Sequence, residues 1–213
     1  INTETGGEEI IPFKAKAKHK ITNALFFDQN PAPDKFEAHV IRNARTSPDG
    51  KTIVFNAAGY IWAKSLPSGR PKRLTDGEDL EFEPAFSPDG KSVIYVTWND
   101  EEKGAICSVL LKGGDPVKLT KAKGIYRQPS YSPDGSRIVY YKEGGNSAMG
   151  YAYTVKPGIY TMNANGTDVD FVTDDGQNPT FNQSGDRIYY QKGGFLFGSL
   201  DKNYCSVNLD GED

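Results

Sequence analysis

Six polar residues carry most of the chemistry this sequence offers: Arg42, Asn43, Glu83, Arg127, Gln128 and Asn178. Each lies four or five positions ahead of a copy of one short phrase, so they recur at two adjacent registers. A pair of arginines can hold a carboxylate through paired N–H donors, for example at a peptide terminus. Amide and carboxylate side chains at the same level supply further donors and acceptors. This is recognition chemistry, and its plainer rival is a water-filled channel lined by satisfied polar groups.

Bond-breaking chemistry has little to draw on. The chain holds two histidines, His19 and His39, with no His-x-His pair, and no Gly-x-Ser-x-Gly elbow. A Ser-His-Asp triad therefore has few partners available. Cys107 and Cys205 sit in different repeats and read as free thiols, since separated strand cysteines seldom meet disulfide geometry. No zinc-ligand spacing occurs, and no cofactor, metal or catalytic residue is expected. The acidic stretch Asp76–Glu81, with Asp170, Asp174 and Asp175, reads as solvated loop. Lys14, Lys16, Lys18 and Lys20 alternate as on the exposed face of a strand. A net charge of −3 gives no electrostatic footprint for nucleic acid. No apolar run approaches the ~20 residues needed to span a bilayer.

The elements that must position the polar set follow from the phrase itself. Ser47-Pro48-Asp49-Gly50, Ser87-Pro88-Asp89-Gly90 and Ser132-Pro133-Asp134-Gly135 are followed by a degenerate Asn182-Gln183-Ser184-Gly185, with starts 40, 45 and 50 residues apart. Pro pre-sets φ, Asp bonds nearby amides and Gly accepts positive φ, so the phrase is a hairpin turn and its Asp a turn-former. A short strand precedes each turn. A β-branched and aromatic strand follows, such as Ser92–Val96 or Arg137–Tyr141. A third strand (Tyr60–Ala63, Ala105–Val109, Gly158–Met162, Tyr204–Val207) leads through a Gly turn to a short fourth. That last strand ends in Leu74-Thr75, Leu119-Thr120 or Val172-Thr173.

Four antiparallel strands in 40–50 residues make a propeller blade. The expected fold is all-β, a propeller with about four visible blades over roughly 42–81, 82–125, 126–176 and 177–213. The last blade lacks its outer strand, which implies an incomplete part of a larger propeller. Residues 1–41 form a separate segment able to give a closing strand or partial blade. An insertion from Gly144 to Lys156 marks the third blade.

The segments PAFSPDGKSVIYVTW and PSYSPDGSRIVYYKEGG, with their Ile-Tyr or Ile-Cys strands and Leu-Thr or Val-Thr endings, resemble the TolB-type β-propeller repeat over about 42–213. The stretches IPFKAKAKHKITNALFF, IRNARTSPDGKTIVFNAAGYIWAKSLPSGRPKRLT and KPGIYTMNANG are similar to the propeller ahead of metal-dependent amidohydrolase domains in large exported bacterial proteins. That resemblance implies a non-catalytic accessory domain, periplasmic or secreted, with its signal peptide outside the 213 residues. Two histidines cannot build the amidohydrolase metal site, so the catalytic half would lie beyond Asp213. The alternatives are a protein-interaction module of the Tol type and the gating propeller of a prolyl-oligopeptidase-like serine peptidase. Expected partners are domains or subunits covering an open propeller edge, and a peptide or small molecule in the channel.

Overall fold

The computed structural model describes residues 12–20, 30–145, 156–174, 176–193 and 202–211. The chain divides into residues 1–37 and 38–213. In the first unit the described residues form neither strand nor helix, and Lys14, Lys16, Lys18 and Lys20 lie on exposed irregular chain. The alternating lysines therefore do not mark a strand. The stretch Ile21–Phe27 and most of the Gly144–Lys156 insertion lie outside the described residues.

The second unit is all-β. Strands β1 (Arg42–Thr46), β2 (Thr52–Ala57), β3 (Tyr60–Ser65) and β4 (Lys72–Arg73) form one antiparallel sheet in sequence order. A second holds β5 (Leu80–Phe86), β6 (Ser92–Asn99), β7 (Lys103–Leu110) and β8 (Val117–Lys118). The third holds β9 (Ile125–Tyr131), β10 (Arg137–Glu143), β11 (Gly158–Asn163) and β12 (Asp170–Thr173). The fourth has three strands among the described residues: β13 (Gln177–Phe181), β14 (Arg187–Lys192) and β15 (Asn203–Asn208). These are the four propeller blades. The hydrophobic-Thr pairs of the first two blades fall just past β4 and β8. There Leu74 and Leu119 still donate their N–H to Ile61 O (2.9 Å) and Ile106 O (2.8 Å).

The turn chemistry is the same in three blades. Ser47 Oγ donates to Asp49 Oδ1 (2.6 Å), Lys51 N–H donates to the same oxygen (3.0 Å), and Thr52 N–H donates to Ser47 Oγ (2.9 Å). Ser87 with Asp89 and Ser132 with Asp134 repeat these bonds. In the fourth blade Asn182 Oδ1 accepts from Arg187 N–H (3.1 Å), and Asp186 takes the place of the missing Asp, accepting from Ser184 Oγ (2.6 Å). Each carboxylate is held below its usual range, first by its side-chain hydrogen bond to Ser (Asp134 down to about 2).

Alternation along the second strand of each blade builds the cores between blades. Val93 and Tyr95 join Val54, Ile61 and Leu74 of the first blade, while Ile94 and Val96 join Tyr126, Ile138 and Tyr140 of the third. Val139 turns the other way, onto Phe181, Ile188 and Val207. Because both faces of β6 and β10 are covered, these strands read as continuous apolar runs rather than alternating ones. The inner strands β1, β5, β9 and β13 neighbour one another in that order.

Candidate functional site

The inner strands share one irregularity. In each, the register against the second strand slips at the same place: between Arg42 and Arg45, between Phe82 and Ala85, opposite Val139 and Tyr141, and between Gln177 and Thr180. The slipped residues are Asn43, Glu83, Gln128 and Asn178, with φ of 51°, 52°, 54° and 52°. Three are followed by a buried proline, Pro84, Pro129 or Pro179. A left-handed residue ahead of proline is disfavoured for any L side chain, and Glu and Gln have less affinity for it than Asn. A bulge re-aims its side chain, and here the same bulge recurs once per blade.

The re-aimed side chains stitch blade to blade. Glu83 Oε2 accepts the Gln128 N–H (2.6 Å), and Gln128 Oε1 accepts the Asn178 N–H (2.7 Å). Asn178 Nδ2 donates to Gln191 Oε1 (3.0 Å) within its own blade. Asn43, one methylene shorter than Gln, makes no such bond among the described residues. All four line a central cavity of about 660 Å³ walled by the four inner strands.

A second cavity of about 540 Å³ opens beside it and brings Arg42, Asn43, Glu83 and Arg127 together with Phe82, Val96, Trp98, Ile125 and Tyr126. The two arginines differ in state. Arg127 donates from Nε (3.0 Å) and Nη2 (2.7 Å) to Glu83 Oε1, and from Nη1 to Glu143 Oε2 (3.2 Å). Its guanidinium is held above its ordinary range, first by the Glu83 hydrogen bond. Its fork is thus already filled by protein carboxylates. Arg42 is exposed and makes no hydrogen bond or ion pair among the described residues. Gln128 and Asn178 line the channel rather than this second cavity.

Sequence reasoning missed two members of the arrangement. Glu143 closes the Arg127 cluster from the end of β10. Glu81, expected in a solvated acidic loop, is 2% exposed in β5. It accepts from the Ile61 N–H (2.8 Å) and the Thr75 hydroxyl, while its backbone carbonyl accepts from Asn56 Nδ2. The alternation of Glu81 with Glu83 across an apolar Phe82 was its only signal. Asp79 stays exposed and accepts from Asn99 Nδ2 (2.9 Å). No group of three metal-ligating side chains occurs among the described residues. Both cysteines are free, and burial pushes the Cys107 thiol up. No helix among the described residues is long and apolar enough to cross a membrane.

The chain is similar to known proteins in its repeat and its fold. A Tricorn-like protease N-terminal subunit from Sulfurisphaera tokodaii is 32% identical over 56 residues, covering 26% of this chain and 29% of that protein. The crystal structure of TolB from Acinetobacter baumannii superposes with a TM-score of 0.64 at 20% identity, over 80% of this chain and 41% of the other. An oligogalacturonate lyase in complex with manganese superposes at 0.60 and 16% identity, over 78% of this chain and 50% of the other. At such identities the two structures share the fold alone, and this chain spans half of those proteins or less. The model of the TolB β-propeller domain matches residues 29–203, and the chain belongs to that family.

Proposed function

We propose that this chain is a non-catalytic binding propeller whose channel-mouth cavity takes a ligand carrying a carboxylate, such as a peptide terminus. The observation behind it is Arg42, an arginine without a hydrogen-bond or ion-pair partner among the described residues, at the edge of a cavity walled by Phe82, Trp98 and Tyr126. Arg127, fixed by Glu83 and Glu143, shapes that cavity and leaves Arg42 to meet the incoming charge. The bulges support the same reading, since a left-handed backbone kept at one register is stored strain of the kind found at ligand sites.

The parent protein in this proposal is exported, periplasmic or secreted. The propeller is accessory to an amidohydrolase-like catalytic domain supplied elsewhere in the protein. A peptidase-gating role is the second reading, favoured by the 32% identical segment of the Tricorn-like protease subunit. In either case β15, an edge strand among the described residues, is where a further domain or subunit would pair. A protein partner of the Tol kind would use the same edge.

Trp98 in the cavity wall gives the assay. Titration of a short apolar peptide with a free C-terminus should change tryptophan emission and saturate. The C-terminally amidated peptide should bind at least about tenfold more weakly, the loss of one charge-assisted hydrogen bond pair. Arg42→Gln should show the same loss. Equal binding of the free and amidated peptides, or by Arg42→Gln and wild type, would remove the proposal.

A further inference from the structure

A third cavity, of about 380 Å³, lies on the outer side of the first two blades, away from the channel. Its charged lining is entirely basic: Lys64 of β3, Arg70 of the β3–β4 turn, Lys72 and Arg73 of β4, and Lys112 of the β7–β8 turn. No carboxylate lines it, although acidic residues outnumber basic ones in the chain, 28 to 25. The side chains of Lys64, Arg70, Lys72 and Lys112 have no ion-pair or hydrogen-bond partner among the described residues. Leu74 and Leu111, from the apolar layer between the blades, line the same cavity.

Arg73 supplies an independent sign. Its guanidinium lies 3.6 Å over the Tyr60 ring, and Nη2 donates to Gly77 O. That fixes the side chain in place, yet its Nε, like Arg137 Nε in the third blade, is buried with no hydrogen-bond partner among the described residues. A buried donor left unpaired costs free energy, and in native proteins such a group generally has an ion or water as its partner. Here it belongs to a residue lining an all-cationic groove. From this we infer that the groove between the first two blades binds a compact phosphate-rich anion, either a free oligophosphate or the clustered phosphates of a lipid headgroup. Arginine forks match phosphate oxygens bidentately, and the lysines act as mobile point charges around them. Five cations from two blades suit adjacent anionic groups better than one.

The test is calorimetric titration of the intact chain with inorganic triphosphate at low salt, repeated at higher salt, with sedimentation against phosphatidylcholine vesicles with and without a bis-phosphorylated lipid. Lys64→Gln with Lys112→Gln removes two exposed or half-exposed charges without touching either core. Lys91→Gln with Lys123→Gln removes as many outside the groove and serves as the charge control. Binding should fall roughly tenfold per lost groove cation, a charge-assisted bond being worth about 1.5 kcal/mol. It should weaken steeply with salt and stay near wild type in the control pair. Triphosphate binding lost in the groove variant supports a soluble ligand. Vesicle binding alone, lost in the same variant, supports a headgroup. The inference is overturned if the wild type binds neither, or if both paired variants lose affinity equally.

Discussion

Glu83 is the residue on which the channel mouth turns, and its removal has a calculable cost. Its side chain is 11% exposed and serves three donors on the next blade: Arg127 Nε, Arg127 Nη2 and the Gln128 N–H. Glu83→Ala keeps a Cβ, so the left-handed backbone stays as strained as before and only the side-chain bonds are lost. The orphaned Gln128 amide costs about 1.5 kcal/mol, the lower end for a bond to a charged acceptor. Arg127 is 43% exposed and keeps Glu143, so its share is discounted to about 0.5 kcal/mol. The sum is about 2 kcal/mol of unfolding free energy, measurable as a shift in urea midpoint at unchanged slope. Glu83→Gln retains one acceptor oxygen and should cost about half as much. Asn43→Gly, at the same register with φ of 51° but no side-chain bond, should be neutral or slightly stabilising. The inter-blade stitch would be refuted if Glu83→Ala fell within about 0.5 kcal/mol of wild type, the range of an ordinary surface change, or if Asn43→Gly were as costly.

Asp134 tests the turn. Its folded-state carboxyl sits at about 2 against an ordinary 3.8, so its contribution is present above the higher value and is lost as pH falls toward the lower. Between pH 4 and 2 the urea midpoint of Asp134→Asn should therefore fall less steeply than that of wild type, and identical slopes would contradict the turn assignment. Gly166 and Gly50 separate backbone strain from crowding. Both have positive φ, but a Cβ on Gly166 would collide with the Leu119 carbonyl of the preceding blade, whereas one on Gly50 meets nothing within 4 Å. In thermal melts Gly50→Ala should cost about 1 kcal/mol and Gly166→Ala at least about 2. Equal costs would mean that the Gly166 turn does not press on its neighbour.

The repeated turn made the blades legible because each of its residues acts locally. Ser, Pro, Asp and Gly bond or constrain chain within five positions, so their meaning survives without tertiary context. The register of Asn43, Glu83, Gln128 and Asn178 was legible for the same reason, being a fixed count from the turn. What those residues touch was not, because their partners lie 44 to 50 positions away on another blade. Spacing placed Arg42 and Arg127 as equals. Glu83 and Glu143 make them unequal, and no local pattern announces that Glu143, at the far end of β10, folds back beside Arg127. Glu81 failed differently: its acidic neighbours suggested solvent, while an earlier start of β5, at Leu80, placed it under the first blade against the Ile61 amide.

Apart from Glu143, whose bond to Arg127 runs between paired strands of one blade, these cases share a physical cause. A propeller buries its blades against each other, so a polar group near a blade face finds its partner across the gap rather than along the chain. The same geometry concentrates any ligand chemistry where blades meet. The channel-mouth cavity draws on the first three blades and the basic groove on the first two. A residue there is free to bind a ligand only if the adjoining blade has left it unpaired. Among the described residues, Arg42 meets that condition at the mouth and the side chains of Lys64, Arg70, Lys72 and Lys112 meet it in the groove, whereas Arg127, equivalent to Arg42 by position, does not.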